Sequence, residues 1–303
     1  GNYIYTTDGK KYLDFFSGIS VNNLGYDKDV IKAMTDKMQS YTHISNYFAD
    51  KDRSELAKAL IENSIDGKVF FTNSGAESSE AALKLVRKCG KSNGKYKILT
   101  AENSFHGRTT GALALTGQKK YQKDFEPLIS GVEHFVFNDS DSLISMVDEH
   151  TSAVFLEPVQ GEGGVIPLTA EFVRTLSKLR EKYNLILVMD EIQTGLRRCG
   201  TLFAYENYNI KPDLIMLAKS LGGGLPLGAV IISKKLENVI GVGDHGSTFG
   251  GNPVACAGGL AVFKKINDEN FVMSMKKNAD YLYNELSSLK EKFSGVIKDL
   301  RGI

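Results

Sequence analysis

The sequence is poor in cysteine, in net charge and in long apolar runs, and each shortage excludes a class of protein. Its three cysteines, Cys89, Cys199 and Cys256, are odd in number and far apart, with no Cys-x-x-Cys or His-Cys metal spacing. This argues against a disulfide framework and for free, buried thiols in a reducing compartment. No metal site is expected. Thirty-seven Lys and Arg against 36 Asp and Glu leave a net charge of +1, too little to gather nucleic acid or an acidic membrane through a global field. Any anionic ligand has to be held locally. No apolar stretch approaches the ~20 residues needed to span a bilayer, and no basic segment precedes an apolar one at the N-terminus. A soluble cytoplasmic protein without nucleic-acid or membrane partners is the expectation. Linkers, repeats and low-complexity stretches are missing as well.

The 303 residues, 42% of them apolar, 24% charged and 10% aromatic, suffice for a large core in one large domain or two smaller ones. The chain starts at Gly1 without methionine and stops at Arg301-Gly302-Ile303, where an apolar residue follows glycine as if a strand were starting. Both ends are expected to be cut.

Tyr3-Ile4-Tyr5, Asp8-Gly9 and Tyr12-Leu13-Asp14-Phe15 read as a hairpin. Short apolar runs then alternate with helical patterns. The runs are Lys68–Thr72, Lys97–Ala101, Glu133–Phe137, Ala153–Glu157, Leu185–Asp190, Asp213–Leu217 and Ala229–Ser233. Helices are predicted after Ser54 (Glu55–Ile65), Ser74 (Ala76–Cys89) and Thr169 (Ala170–Tyr183). Such alternation points to an α/β fold with a mostly parallel sheet covered by helices. Ligands then sit outside the carboxyl ends of the strands. Beyond Gly251, Asn252-Pro253 caps a helix to about Asn267, and Phe271–Phe293 is a long Lys- and Glu-rich helical stretch. The expected division is a hairpin and connecting segment over 1–50, a large α/β domain over 51–252, and the start of a smaller domain over 253–303.

Three strand ends carry chemistry. Thr72-Asn73-Ser74-Gly75-Ala76-Glu77 joins a strand to a helix N-terminus, where free N–H groups and the helix dipole make a phosphate cradle; a plain capping box of Ser74 with Glu77 accounts for the same residue types. Asp190 ends the run Leu185–Asp190, where it could hold the magnesium of a nucleotide triphosphatase or keep a cationic ring nitrogen protonated. The magnesium reading needs a Walker A loop, and Gly90-Lys91-Ser92 has Leu85 where the first glycine belongs. Lys219 follows Leu214–Leu217 beside Gly222-Gly223-Gly224, where desolvation favours an amine nucleophile; a solvated strand-end lysine is the bland alternative. A cofactor with an aldehyde, a basic ring nitrogen and a phosphate would use Lys219, Asp190 and the Gly75-Ala76 cradle together, which fits pyridoxal phosphate. Gly241-Val242-Gly243-Asp244-His245-Gly246 matches a dinucleotide fingerprint, but Ser247–Pro253 behind it admits no helix, so the match is fortuitous.

Six segments in this order and spacing resemble the class III pyridoxal-phosphate aminotransferases, most closely the acetylornithine and ornithine aminotransferase group. They are Thr72–Glu77, Phe105-His106-Gly107-Arg108-Thr109, Glu157–Gly164, Asp190–Gly195, Ala218–Gly224 and His245–Pro253. The resemblance spans nearly the whole chain. It implies a fold type I transferase with a seven-stranded, mostly parallel sheet and part of a smaller second domain. Lys219 is similar to the lysine that carries the cofactor as a Schiff base and moves the proton, and Asp190 to the partner of the ring nitrogen. Gln193 matches the residue bonding the ring hydroxyl, Phe105 the ring that stacks on the cofactor, and Gly75 and Ala76 the phosphate cradle. Thr248 matches a phosphate ligand that reaches across from a partner subunit, which implies a homodimer. Arg108 resembles a bidentate carboxylate clamp, Ser247 a substrate contact, and Glu157 a glutamate that pairs with an arginine of the C-terminal domain. His106 receives no proton-transfer role.

The activity so implied moves the δ-amino group of N2-acetylornithine to 2-oxoglutarate through two half-reactions, a step of arginine biosynthesis. Ornithine, succinylornithine, diaminopimelate precursors and 4-aminobutyrate are the alternative donors. The family continues past Ile303 and begins before Gly1, so Glu157 is expected to lack its arginine. A nucleotide-binding ATPase is disfavoured by the missing Walker A loop. In a non-catalytic binding protein Lys219, Asp190, Gln193 and Arg108 would have no reason to occur together.

Overall fold

The computed structural model describes residues 2–303. Seven strands, β1 (Gly67–Thr72), β2 (Lys97–Ala101), β3 (Val132–Phe135), β4 (Thr151–Leu156), β5 (Ile186–Asp190), β6 (Leu214–Leu217) and β7 (Gly228–Ser233), form one sheet in the order β1-β7-β6-β5-β4-β2-β3. Strand β7 is antiparallel to both its neighbours, and every other pair is parallel. Strands β1–β6 therefore all point one way. Their carboxyl ends share a single edge, where Thr72, Leu156, Asp190 and Leu217 stand.

The seven strands are the seven apolar runs, with several ends moved by a residue or two. Asp213, for example, stays outside β6 because its carboxylate accepts from the Leu187 amide and from Arg180, both at 2.9 Å. Successive strand residues face opposite sides. Leu187, Met189, Ile215 and Leu217 enter one core, and Ile186, Val188, Leu214 and Met216 the other. The helices packed around the sheet are α1 (Lys28–Ser40), α2 (Lys51–Glu62), α3 (Gly75–Lys91), α4 (Thr110–Leu115), α5 (Ala170–Tyr183) and α6 (Pro253–Ile266), and α7 (Glu269–Lys292) follows them in the chain. Helix α3 closes the second core with Ala81, Ala82, Leu85 and Val86, whereas α1, α2, α5 and α6 close the first.

Caps sit where the sequence places them for three helices: Ser74 for α3, Thr169 for α5, and Asn252 with Pro253 for α6. Helix α2 departs from expectation. It begins at Lys51 because Asp50 accepts from the Arg53 amide at 2.8 Å, which leaves Ser54 inside the helix with its hydroxyl on the Asp50 carbonyl. The hairpin pairs Tyr3–Tyr5 with Lys11–Leu13 around Asp8-Gly9. No helix follows the glycine-rich segment 241–246 before Pro253. Helix α6 is seated in the main core through Val254, Cys256, Phe263 and Ile266, whereas α7 buries none of its residues. No helix among the described residues is long and apolar enough to cross a membrane.

Candidate active site

Asp190 ends β5 with its side chain buried. Its Oδ1 accepts from the Ile192 amide at 3.0 Å, and its Oδ2 lies 2.7 Å from His106 Nδ1. His106 Nε2 stands 3.1 Å from the Thr100 hydroxyl. Burial alone would push the imidazole toward its neutral form, but the bond to Asp190, with the charges of Asp190 and Glu157, holds its pKa above the usual histidine range. Glu191 turns to the opposite side of the chain. Its carboxylate accepts from the amides of Ala204 and Tyr205 at 3.0 and 2.8 Å and from Thr194 Oγ1 at 2.6 Å, and burial pushes it up to about 7. Asp190 and Glu191 thus bond to different neighbourhoods.

Strand β6 lies beside β5 with Met216 opposite Asp190, so the chain passes Asp190 just before Ala218-Lys219. Lys219 adopts a left-handed φ of +49° at the start of a short 3₁₀ turn, a conformation that a non-glycine residue rarely takes. Burial lowers its pKa from the ordinary lysine range, against the opposing pull of Asp190, Glu162 and Glu157. A larger share of neutral amine is the chemical consequence.

At the end of β1, Ser74 Oγ accepts from the Glu77 amide at 3.2 Å. The Glu77 carboxylate reaches past Ser74 to the backbone and side-chain nitrogens of Asn73, at 2.9 and 2.8 Å, so the reciprocal half of a capping box is made one residue early. The amides of Gly75 and Ala76, beyond reach of any intrahelical carbonyl, border the cavity. A Cβ on Gly75 would come within 2.9 Å of Ile192, so glycine is what lets the start of α3 close on the end of β5.

Phe105, His106, Gly107 and Arg108 run over this cradle. Gly107 has φ +132°, and a Cβ there would meet Ala76 and Ala112 at about 3.0 Å. The loop is held by the Ser79 hydroxyl donating to the His106 carbonyl at 2.6 Å and by the His106 amide donating to Thr116 Oγ1 at 2.9 Å. Glu80 of α3 accepts from Thr109 Oγ1 and the amides of Gly111 and Ala112, tying down the start of α4. Glu157, just past β4, is buried and accepts from the Phe105 amide at 3.2 Å; burial pushes its carboxyl up to about 8. Its hydrogen-bond partner here is thus a backbone amide and not the arginine that the resemblance implies.

One cavity of about 490 Å³ collects these groups: Gly75, Ala76, Phe105, Arg108, Glu157, Asp190, Gln193 and Lys219 all line it, and His106 with them. Ser247 and Thr248 do not. They line a neighbouring cavity with His43, Asn46 and Phe71, although Ser247 Oγ accepts from Asn73 Nδ2 at 3.1 Å and so touches the rim of the first.

The whole chain, residues 1–303, matches the family described as aminotransferase class-III. It belongs to the class III aminotransferases. The acetylornithine aminotransferase of Caldanaerobacter subterraneus subsp. tengcongensis is 45% identical over 100% of this chain and 77% of that protein. The ornithine aminotransferase from Toxoplasma gondii superposes with a TM-score of 0.92 at 30% identity, covering 100% of this chain and 74% of the other. For the N-acetylornithine aminotransferase from Stenotrophomonas maltophilia the values are 0.85 and 33%, with 100% and 76% covered.

Class III aminotransferases depend on pyridoxal phosphate, and the residues present fit it. Two unpartnered amides at a 17-residue helix N-terminus offer an anion site. A buried carboxylate and a partly desolvated amine flank the same space. His106 is the site residue that sequence reasoning missed. Its position between Phe105 and Gly107 gives no sign that Thr100 and Asp190, from two different strands, close on its ring.

Proposed function

We propose that this aminotransferase moves the δ-amino group of N2-acetylornithine to 2-oxoglutarate, giving N-acetylglutamate 5-semialdehyde and glutamate in two half-reactions. The observation that carries the reading is a single cavity holding a desolvated amine, a buried carboxylate, an amide cradle and an exposed guanidinium at its rim. The similarity to acetylornithine aminotransferases supports the donor. Pyridoxal phosphate, when bound, supplies an aldehyde for the amine and a conjugated ring that accepts the electrons left behind by a departing proton.

Each residue then has a task. Lys219 Nζ takes the proton from the amine-bearing carbon and returns it in the reverse direction. Asp190, oriented by His106, keeps a proton on the ring nitrogen. The amides of Gly75 and Ala76 hold the phosphate, Gln193 bonds the ring hydroxyl, and Phe105 packs on the ring face. Arg108 binds the α-carboxylate of acetylornithine in one half-reaction and a carboxylate of 2-oxoglutarate in the other. Thr248 of a second copy completes the phosphate site, which makes the working unit a homodimer; the placement of Ser247 and Thr248 outside the main cavity, beside the highly exposed Tyr47 and Val242, supports this. The three free cysteines agree with a cytoplasmic setting, and the product with arginine biosynthesis. The second structural unit is best drawn after Ile266 rather than at 253, since α6 is part of the main core.

A half-reaction titration tests the donor. The holoenzyme is mixed with acetylornithine, ornithine, succinylornithine or 4-aminobutyrate, and loss of its yellow absorbance is followed. Acetylornithine is expected to convert it most efficiently. A clear preference for ornithine, favoured by the fold match to an ornithine aminotransferase, would overturn the assignment.

A further inference from the structure

Arg108 stands at the exposed rim of the cavity, and among the described residues its guanidinium contacts are two aromatic rings. The guanidinium carbon lies 4.1 Å from the centroid of the Tyr121 ring and 5.5 Å from that of Phe105. The rings themselves meet edge to face, 6.1 Å apart at 81°. A cation so close to a ring centroid sits over the ring face.

The half-buried Tyr121 belongs to a short turn, Lys119–Gln122, built firmly onto the site loop. The buried Gln122 donates through Nε2 to the carbonyls of Leu113 and Thr116 at 3.1 and 2.8 Å. Gln118 Nε2 donates to the Ser104 carbonyl at 3.0 Å, next to Phe105. The ring is thus held against the loop that carries the clamp. Lys120 Nζ also approaches the ring, at 4.7 Å, but as a more strongly hydrated point charge it stacks less well than a guanidinium.

We propose that Tyr121 is a positioning residue that sets selectivity for carboxylate-bearing substrates by holding Arg108 over its ring face. This rests on Arg108 being the carboxylate clamp. An arginine loses much rotamer freedom when it grips a ligand, and a ring that confines it beforehand reduces that loss. An acidic neighbour would confine it too, but would occupy the N–H donors the substrate needs. Contact with a ring face places no carboxylate on those donors, which leaves them available for a bidentate bond to substrate. The ring face is the acting part, so the tyrosine hydroxyl is dispensable.

The test compares holoenzymes carrying Tyr121→Leu, Tyr121→Phe, Arg108→Ala and Tyr121→Leu/Arg108→Ala. Three readouts are taken: KM and kcat for acetylornithine, the same for N-acetyl-1,4-diaminobutane, which lacks only the carboxylate, and the equilibrium Kd of the non-reactive dicarboxylate glutarate. Tyr121→Leu is expected to raise KM for acetylornithine and Kd for glutarate about three- to fivefold, the size of a partly exposed cation–π contact. The carboxylate-free amine should be unaffected, Tyr121→Phe should match wild type, and the double variant should bind no worse than Arg108→Ala. Equal losses for both amines would mark Tyr121 as merely structural and overturn the proposal. So would unchanged KM and Kd in Tyr121→Leu while Arg108→Ala still loses carboxylate binding, a result that leaves the clamp intact. If Arg108→Ala itself fails to discriminate the two amines, the clamp is wrong and the proposal falls with it.

Discussion

Replacing Asp190 with asparagine removes the charge at the end of β5 while keeping the shape of the side chain. Asp190 accepts from Ile192 at 3.0 Å in part-buried surroundings and pairs with the buried His106 at 2.7 Å. An amide has one oxygen and one NH₂ group. It keeps both contacts only if its oxygen faces Ile192 and its NH₂ faces an unprotonated Nδ1, which forces His106 to be neutral. Exchanging a charge-assisted pair for a neutral bond in a buried site costs about 1–3 kcal/mol near neutral pH. The pH dependence separates this from ordinary packing damage. In the wild type the His106 pKa is raised above 6.5, so its contribution is fully present below 6.5 and is lost as pH rises through the folded value. In the variant, a neutral buried His106 costs stability at pH values below 6.5, where the unfolded chain binds the proton. The stability difference is therefore largest in acid and shrinks with rising pH, by up to about 1.4 kcal/mol per pH unit for one proton. Urea denaturation of the cofactor-free proteins across roughly pH 5 to 9 measures it. A difference that stays flat across that range would show that the pair holds no extra proton and would refute the reasoning. Turnover of the reloaded variant should fall about a thousandfold, ~4 kcal/mol of barrier, because a neutral amide no longer holds the ring-nitrogen proton.

Three further outcomes are expected. Lys219→Ala should abolish transamination and the borohydride trapping of cofactor on the protein while leaving cofactor bound through the cradle; equilibrium dialysis of pyridoxal phosphate checks the second half. Glu157→Gln should be more stable than wild type between pH 4.5 and about 8, because a buried carboxyl with a raised pKa loses folded-state stability as pH climbs above its unfolded value; the gap, read from melting curves, should widen with pH by up to about 1.4 kcal/mol per unit. Gly107→Ala should destabilise the protein by about 1–3 kcal/mol and weaken cofactor binding, since it combines a positive φ with contacts to Ala76 and Ala112 of about 3.0 Å; an unchanged melting temperature would count against the strained-loop account.

Much of the fold can be read locally. The seven apolar runs become the seven strands because each is long enough to be buried and is ended by polar or glycine residues. Ser74, Thr169 and Asn252 cap helices because a side-chain acceptor beside free amides acts within three residues of itself. The start of α2 is misjudged for the same kind of reason. Two acceptors, Asp50 and Ser54, lie one turn apart, and the choice falls to Asp50, whose carboxylate also engages Lys37 of α1 and Tyr41, the residue that follows α1.

The site divides along the same line. The sequence by itself determined that a lysine, an aspartate and a helix N-terminus each follow a strand, and residues so placed reach one edge of a parallel sheet. Only the tertiary structure decided which of them meet. It put Asp190 on His106 rather than beside Glu191, since neighbouring residues of an extended chain point apart. It tied Glu157 to the Phe105 amide, set Ser247 and Thr248 outside the main cavity, and laid Arg108 over Tyr121. The physical reason is reach: caps and strand runs are fixed by interactions across a few residues, whereas Asp190 with His106, Glu157 with Phe105 and Asn73 with Ser247 join residues 84, 52 and 174 apart that only the sheet order brings together.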